Sequence, residues 1–366
     1  DEMASLATND DDDDNYNIPT KESIIENIKA LIDDEQLLLA VEKLKLLNDK
    51  EIVELSKNNN YIRFAKQCKE ELNTFLTQLS PIDTSASSDW VAVSEETEKY
   101  RVWYKQEKET SSYTFRVEGM VNAKLFNILA VIYEFDLFKT WFPGVGVSDK
   151  DIQLAKFRMI VSLVGDQLPW PFWSRKSILY GYGDVFNNDS VAIYIRDAVE
   201  TDLTQNITDP KTSNLNNDDI DKEKEKIVVD ETQYVNSKCL YGGFHVIPVT
   251  EEKTFIKFAF NFDPQFQLLP TSFFNFLIQG TMIPLLGLIT KKAKNIEGTE
   301  YEKRINSDES SAVYAEMRKR LTKIDYSNNG CYKKYLLKSQ IEIVEQRLAI
   351  WRKQKGKNII NSESGK

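Results

Sequence analysis

A single histidine, His245, and three widely separated cysteines, Cys68, Cys239 and Cys331, leave this sequence short of the residues from which most site chemistry is built. A metal centre needs several ligands, and no CxxC pair or second histidine supplies them. The odd cysteine count fits no disulfide framework, so the thiols are read as reduced and the protein as cytoplasmic. One histidine is enough for a nucleophile pair only if it lies beside the nucleophile. Within YGGFHVIPV it reads as a strand residue satisfied by a neighbour. Phosphate-cradling loops are missing as well: there is no GxxxxGK(S/T), and the GVG and GYG stretches lack a strand–GxGxxG–helix setting. The opening residues, DEMASLATNDDDDD, show neither a basic n-region nor an apolar h-region, so no signal peptide is expected there. With no catalytic constellation in view, an enzyme is not expected.

What the 366 residues do hold is apolar surface, 41% hydrophobic with nineteen Phe, sixteen Tyr and six Trp. That suffices for a full core in one large domain or two smaller ones. The net charge of -10 is unevenly spread. Residues 1–20 carry seven acids and no base, and residues 200–231 carry ten acids against four lysines. Residues 291–357 reverse the sign, with seventeen Lys/Arg against nine Asp/Glu. Acidity thus sits in loop-like segments and basicity at the C-terminal end. Basic and aromatic residues do not interleave on the strand-like segments, and nucleic acid is not expected as a partner.

Along the chain, residues 1–19 read as an acidic disordered tail and 20–58 as a helical hairpin, with Thr20 as cap and Ile24, Ile28, Leu31 and Ile32 on one face. A third helix over 61–79 is stopped by Pro81 and a Ser/Thr-rich stretch. From Trp90 the period changes to two. Strand patterns are interrupted by one helical segment ending at Trp141 and by a polar stretch, 200–230, read as a mobile insertion. The clearest strand alternates Ile256, Phe258, Phe260 and Phe262 with Lys257, Ala259 and Asn261, which predicts an antiparallel sheet with one buried face. An apolar run from Phe273 to Ile289 is broken by Gly280, Pro284 and Gly287 and reads as a long amphipathic helix packed on that sheet. Residues 296–366 read as a basic helical extension.

This order of elements resembles the StAR-related lipid transfer (START) family over residues 60–295. The residues that carry the resemblance are Trp90, the segment FKTWFPGV with Trp141, the octapeptide LPWPFWSR, and the lid-like PTSFFNFLIQGTMIPLLGLITKKAKN. The octapeptide matches the family's P-x-P-x-x-x-R loop through Pro169, Pro171 and Arg175. The resemblance implies an α+β helix-grip fold, a curved antiparallel sheet wrapped around a long C-terminal helix. It further implies a closed cavity for one lipid of the sterol or phospholipid class, with no other cofactor. Phe138 and Phe142 stand where phosphatidylcholine-binding members carry an arginine and an aspartate, so that headgroup site is not matched.

Arg158, Arg196, Glu134, Phe258, Phe260, Phe274, Leu277 and Ile278 are the expected cavity residues. An inward arginine would need a carboxylate or a lipid polar group, and Glu134 and Asp184 are the internal candidates. Trp170, Phe172, Trp173, Arg175, Lys291 and Lys292 are expected to form the gate and to touch a membrane surface transiently. The alternative is a scaffold or assembly subunit that binds partner proteins through the flanking helices.

Overall fold

Thr20 caps the first helix as its position suggests, accepting a hydrogen bond from the Ser23 N–H at 3.2 Å. In the computed structural model of the chain, the residues described are 19–80, 82, 88–94, 100–108, 110, 112–166, 173–187, 189–204, 224–266, 271–307, 311–324, 331–336 and 338–363. Residues 20–58 form three helices rather than a hairpin: α1 (Lys21–Asp33), α2 (Leu37–Leu44) and α3 (Asp49–Asn58). The extra break falls at Asn48, whose side chain and that of Glu51 make a reciprocal capping box. The longer α4 (Asn60–Gln78) follows.

Ten strands then form one sheet: β1 (Val91–Ser94), β2 (Tyr100–Gln106), β3 (Tyr113–Val121), β4 (Val145–Ala155), β5 (Arg158–Gly165), β6 (Arg175–Phe186), β7 (Ser190–Asp197), β8 (Val235–Asn236), β9 (Gly242–Thr250) and β10 (Lys253–Phe262). Their spatial order is β1-β2-β3-β10-β9-β7-β6-β5-β4, antiparallel throughout, with only the short β8 running parallel to β6. Between β3 and β4 the chain must cross the sheet. It does so through α5 (Leu125–Tyr133) and a 3-10 turn (Phe135–Thr140).

On that inner face lies the long apolar helix α7, Thr271–Lys294, in which Leu285, Leu286, Ile289 and Ala293 are buried. A short α6 (Glu200–Thr204) precedes it in the chain, and α8 (Glu300–Ile305), α9 (Ser311–Leu321) and α10 (Lys338–Glu363) follow. The architecture is the α+β arrangement expected, a sheet holding a long C-terminal helix. By length and composition α7 would also pass for a membrane-crossing segment. Here one side of it is spent on α5 and β3.

One expectation is corrected by the outer face. Instead of facing water it is buried a second time: α1–α4 close over β5, β6 and β7, where Ile28, Leu38, Phe64 and Phe75 meet Ile160, Ile178, Tyr182 and Tyr194. A smaller layer from the C-terminal segment, including Tyr332, Val344 and Leu348, covers Met120, Ile247 and Phe255. The residues that look solvent-facing by alternation, Lys257, Ala259 and Asn261, are therefore buried. Buried polar groups must be paired, and these are. Arg116 bonds Glu118 and collects the carbonyls of Gln78 (2.9 Å) and Leu79 (3.0 Å), the unsatisfied C-terminal end of α4.

The polar stretch 200–230 is also tied down at both ends. Leu203 and Val229 are buried in the helical layer, and Asp202 pairs with Arg196 at 2.7 Å. Residues 205–223 lie outside the described ones, as do 1–18.

Candidate functional site: a cavity between sheet and lid

A cavity of about 510 Å3 separates the inner face of the sheet from α7. Its floor comes from alternate residues of the strands: Phe258, Phe260 and Phe262 of β10, Phe244 of β9, Leu163 of β5, and Arg175, Ser177 and Leu179 of β6. The period of two that made β10 legible is what points these rings inward. One wall is aromatic, with Phe135, Phe138, Trp141 and Phe142 packed ring against ring at 4.6 to 6.0 Å. Trp141 is held by its Nε1–H, which donates to Tyr301 of α8 at 2.9 Å. Both phenylalanines at the unmatched headgroup positions thus belong to an apolar wall. A smaller cavity of about 130 Å3 adjoins it, sharing Phe135, Phe138, Ile195 and Phe244 and bounded by Met317 and Leu321 of α9.

The lid helix is regular at one end only. Its C-terminal half is anchored, with Asn127 of α5 donating to the Ala293 carbonyl at 2.9 Å and the Tyr100 and Thr290 hydroxyls 3.3 Å apart. Thr271–Asn275 at the other end contains no buried residue. Between them Phe276–Met282 is π-helical, and the Ile283 N–H reaches back five residues to Ile278 at 3.0 Å. Pro284 explains the change of register, since it has no N–H to continue the four-residue ladder. Phe276 sits against Gly144 and Gly280, where an added Cβ would stand 2.5 Å and 2.9 Å from its ring. Gly144 also has φ of +77°, so it serves both the turn and the close approach.

Of the expected cavity residues, Phe258, Phe260 and Leu277 line it. Phe274 and Ile278 turn to the other side of the lid, Phe274 packing on Tyr104 and Tyr113 at 4.9 and 5.1 Å. The charged expectations are corrected. Arg158 and Arg196 point through the outer face into the helical layer, Arg158 beside Phe64 at 5.2 Å and Arg196 bonded to Glu71 and Asp202, both at 2.7 Å. Each lies one residue out of phase with the inward set, Met159 and Ile195. Glu134 braces the C-terminal helices instead, with Lys150 at 2.7 Å, Arg304 at 2.6 Å and the Tyr314 hydroxyl at 2.6 Å. Burial works to raise its pKa, but these partners outweigh it and hold it below the ordinary value. Asp184 pairs with Arg320 at 3.0 Å.

Among the gate residues, Trp170 and Phe172 lie outside the described ones. Trp173 is 52% exposed, while Arg175 is buried and lines the cavity. Lys291 is exposed on the last turns of α7 and Lys292 half-buried. His245 sits on the outer face, its Nε2 3.1 Å from the Ser190 hydroxyl and its ring between Phe186 and Tyr335. Burial, with Lys257 adding to it, lowers its pKa to about 3. Sequence reasoning missed the wall residues Phe135 and Phe138 and the cavity role of Ser177. The i, i+2 spacing from Arg175 to Leu179 was the available signal.

No protein-family model and no curated protein matches the chain. Among solved structures, human StAR-related lipid transfer protein 5 is similar at 12% identity and a TM-score of 0.47, over 68% of this chain and 99% of that one. Human STARD10 is similar at 12% identity and 0.45, over 64% and 88% respectively. The Zhui aromatase/cyclase from Streptomyces is more distant, at 10% identity and a TM-score of 0.25. All three are likenesses at low identity; the first two carry the name of the family that the sequence motifs resemble.

Proposed function

We propose that this chain holds one lipid molecule in the cavity and carries it between membranes. The observation that supports the reading is the cavity itself: about 510 Å3, walled by aromatic and aliphatic side chains, under a helix anchored at one end. That volume is in the usual ligand-site range of roughly 300–1,000 Å3. Each CH2 removed from water contributes about 0.8 kcal/mol, so an enclosed apolar site competes with a bilayer where an open groove would not. Lifting the Thr271–Asn275 end moves no fully buried residue, at the cost of the Phe274 contacts with Tyr104 and Tyr113, and the π-helical turns next to it are the natural place to bend. Lys291 and Lys292 would favour approach to an anionic surface by about 1 kcal/mol each. Exposed Trp173, with Trp170 and Phe172 beside it in the sequence, would enter the interface. The site of action is then the cytoplasmic face of a membrane.

The alternative of an assembly subunit relied on the flanking helices as docking elements. Those helices bury their apolar faces on this chain's own sheet, and that reading gives the cavity no purpose. The test is transfer of labelled sterol, phospholipid and fatty acid between vesicles. Wild-type protein is expected to accelerate at least one class. Replacing both Trp170 and Trp173 with Ala is expected to slow it severalfold and weaken vesicle binding with the fold intact. A folded protein that moves none of the three classes overturns the carrier reading.

A further inference from the structure

Among the described residues, several buried or half-buried arginines have carboxylate partners. Arg116 pairs with Glu118, Arg196 with Glu71 and Asp202, Arg304 with Glu134 and Asp136, and Arg320 with Asp184 and Glu316. Arg175 does not follow them. It is 8% exposed, lines the cavity, and has no carboxylate within ion-pair distance among the described residues. Its Nε donates to the Pro264 carbonyl at 3.1 Å and Nη1 to the Trp173 carbonyl, and the guanidinium lies 3.7 Å from the centre of the Phe266 ring. Of its five N–H groups, three have no partner among the described residues. Burial alone lowers its pKa, with no acid acting against it. Asp166 borders the same cavity but is exposed and forms no ion pair with Arg175.

The surroundings of Arg175 are graded. Along the inner face of β6 the cavity-lining residues run Arg175, Ser177, Leu179, Gly181. The Ser177 hydroxyl lies 2.7 Å from that of Ser237, also a lining residue, which in turn donates to the Lys176 carbonyl at 3.2 Å, so the pair adds polarity at this end of the cavity with its hydrogens already engaged. Beyond Leu179 the larger cavity ends at Phe135, Phe138 and Phe244, and the adjoining smaller one is also bordered by Asp184 and Arg320, which pair with each other at 3.0 Å. A guanidinium kept buried without a counter-charge at the polar end of an apolar cavity matches an oxyanion in geometry and sign.

We propose that the cavity selects an amphiphile with an oxyanion head, a carboxylate or a phosphate. Arg175 receives the head through its three unengaged N–H groups, and the chain runs along β6 toward Phe244. This rests on the lipid-carrier reading and specifies its ligand class. The test is calorimetric titration of the full chain with three probes that share one oleoyl chain: oleate, 1-oleoyl lysophosphatidic acid and methyl oleate. Wild type is expected to bind at least one anionic probe on the order of tenfold more tightly than methyl oleate. Which anion binds more tightly separates carboxylate from phosphate. Arg175→Gln is expected to lose that preference and keep methyl oleate binding. Arg175→Lys, which keeps the charge, is expected to retain part of it even if the Gln variant fails to fold. Equal wild-type affinity for neutral and anionic probes, or an undiminished preference in a folded Arg175→Gln, overturns the proposal while leaving the carrier reading in place. Binding of none of the three by wild type overturns the proposal, and the vesicle-transfer assay, which includes sterol, decides separately on the carrier reading.

Discussion

The two faces of the sheet bury their residues by opposite means. On β10, Phe258 and Phe260 face inward to a cavity, while Lys257 and Asn261 face outward and are equally out of reach of water. The outer side is closed with directional chemistry. Arg116 gathers the end of α4, Lys257 bonds the Tyr335 carbonyl, and Asn261 bonds Ser112 and Thr114 at 3.0 and 3.2 Å. Such a layer tolerates one arrangement only, because each unpaired member would cost the full desolvation of a polar group. Beyond Arg175 and Ser177 the inner side asks for apolar volume and is indifferent to which atoms provide it. A rigid, satisfied outer layer beside a permissive inner space is how a sheet keeps its shape while part of its core is exchangeable.

That contrast can be broken most severely at Glu118. Its replacement by Ala strands the Arg116 charge, and denaturant unfolding is expected to show a loss of about 3–5 kcal/mol. A loss below about 1 kcal/mol would mean that the outer network is not what holds that face. Next come two Phe→Ala changes of identical chemistry. Phe75, with no exposure in the helical layer, is expected to cost about 3–5 kcal/mol. Phe260, which already borders a cavity, is expected to cost about half as much. Equal losses would erase the distinction between a packed face and an open one.

The smallest effect concerns pH. Asp197 accepts from the Cys239 N–H at 2.9 Å but has no cation within ion-pair distance among the described residues, and burial pushes its pKa to about 6. The folded state therefore holds this proton more tightly than the unfolded state, so its contribution to stability falls as pH rises from about 4 through 6. Asp197→Asn removes that fall. Relative to wild type the variant should gain about 1–2 kcal/mol between pH 4 and pH 7, discounted for partial solvent access. A difference that does not change with pH would contradict the assignment.

Much of the fold was legible because it rests on local patterns. The period of two in TFIKFAFNF set the inward rings of β10, and the stripe from Ala65 to Phe75 set the buried face of α4. The octapeptide ending in Arg175 was read as a gate touching a membrane, whereas Arg175 itself is buried and lines the cavity. What escaped was decided between distant segments. Arg158 lies between Phe157 and Met159 and Arg196 follows Ile195, but their face depends on strand phase, and their partners arrive from α4 and α6. Outer-face residues such as Lys257 look solvent-facing by alternation, and only the docking of helices from both ends of the chain buries them. The break inside α7 was foreshadowed by Gly280 and Pro284, although its π register was not.

The central claim is that the inner space is a lipid site. Native mass spectrometry of the purified full chain, followed by organic extraction of what it releases, addresses that claim most directly. The account predicts a single added mass per chain that is recovered as one lipid class, with an acidic head if Arg175 acts as proposed. A chain that flies at its sequence mass alone, and still does so after incubation with mixed-lipid vesicles, would contradict it.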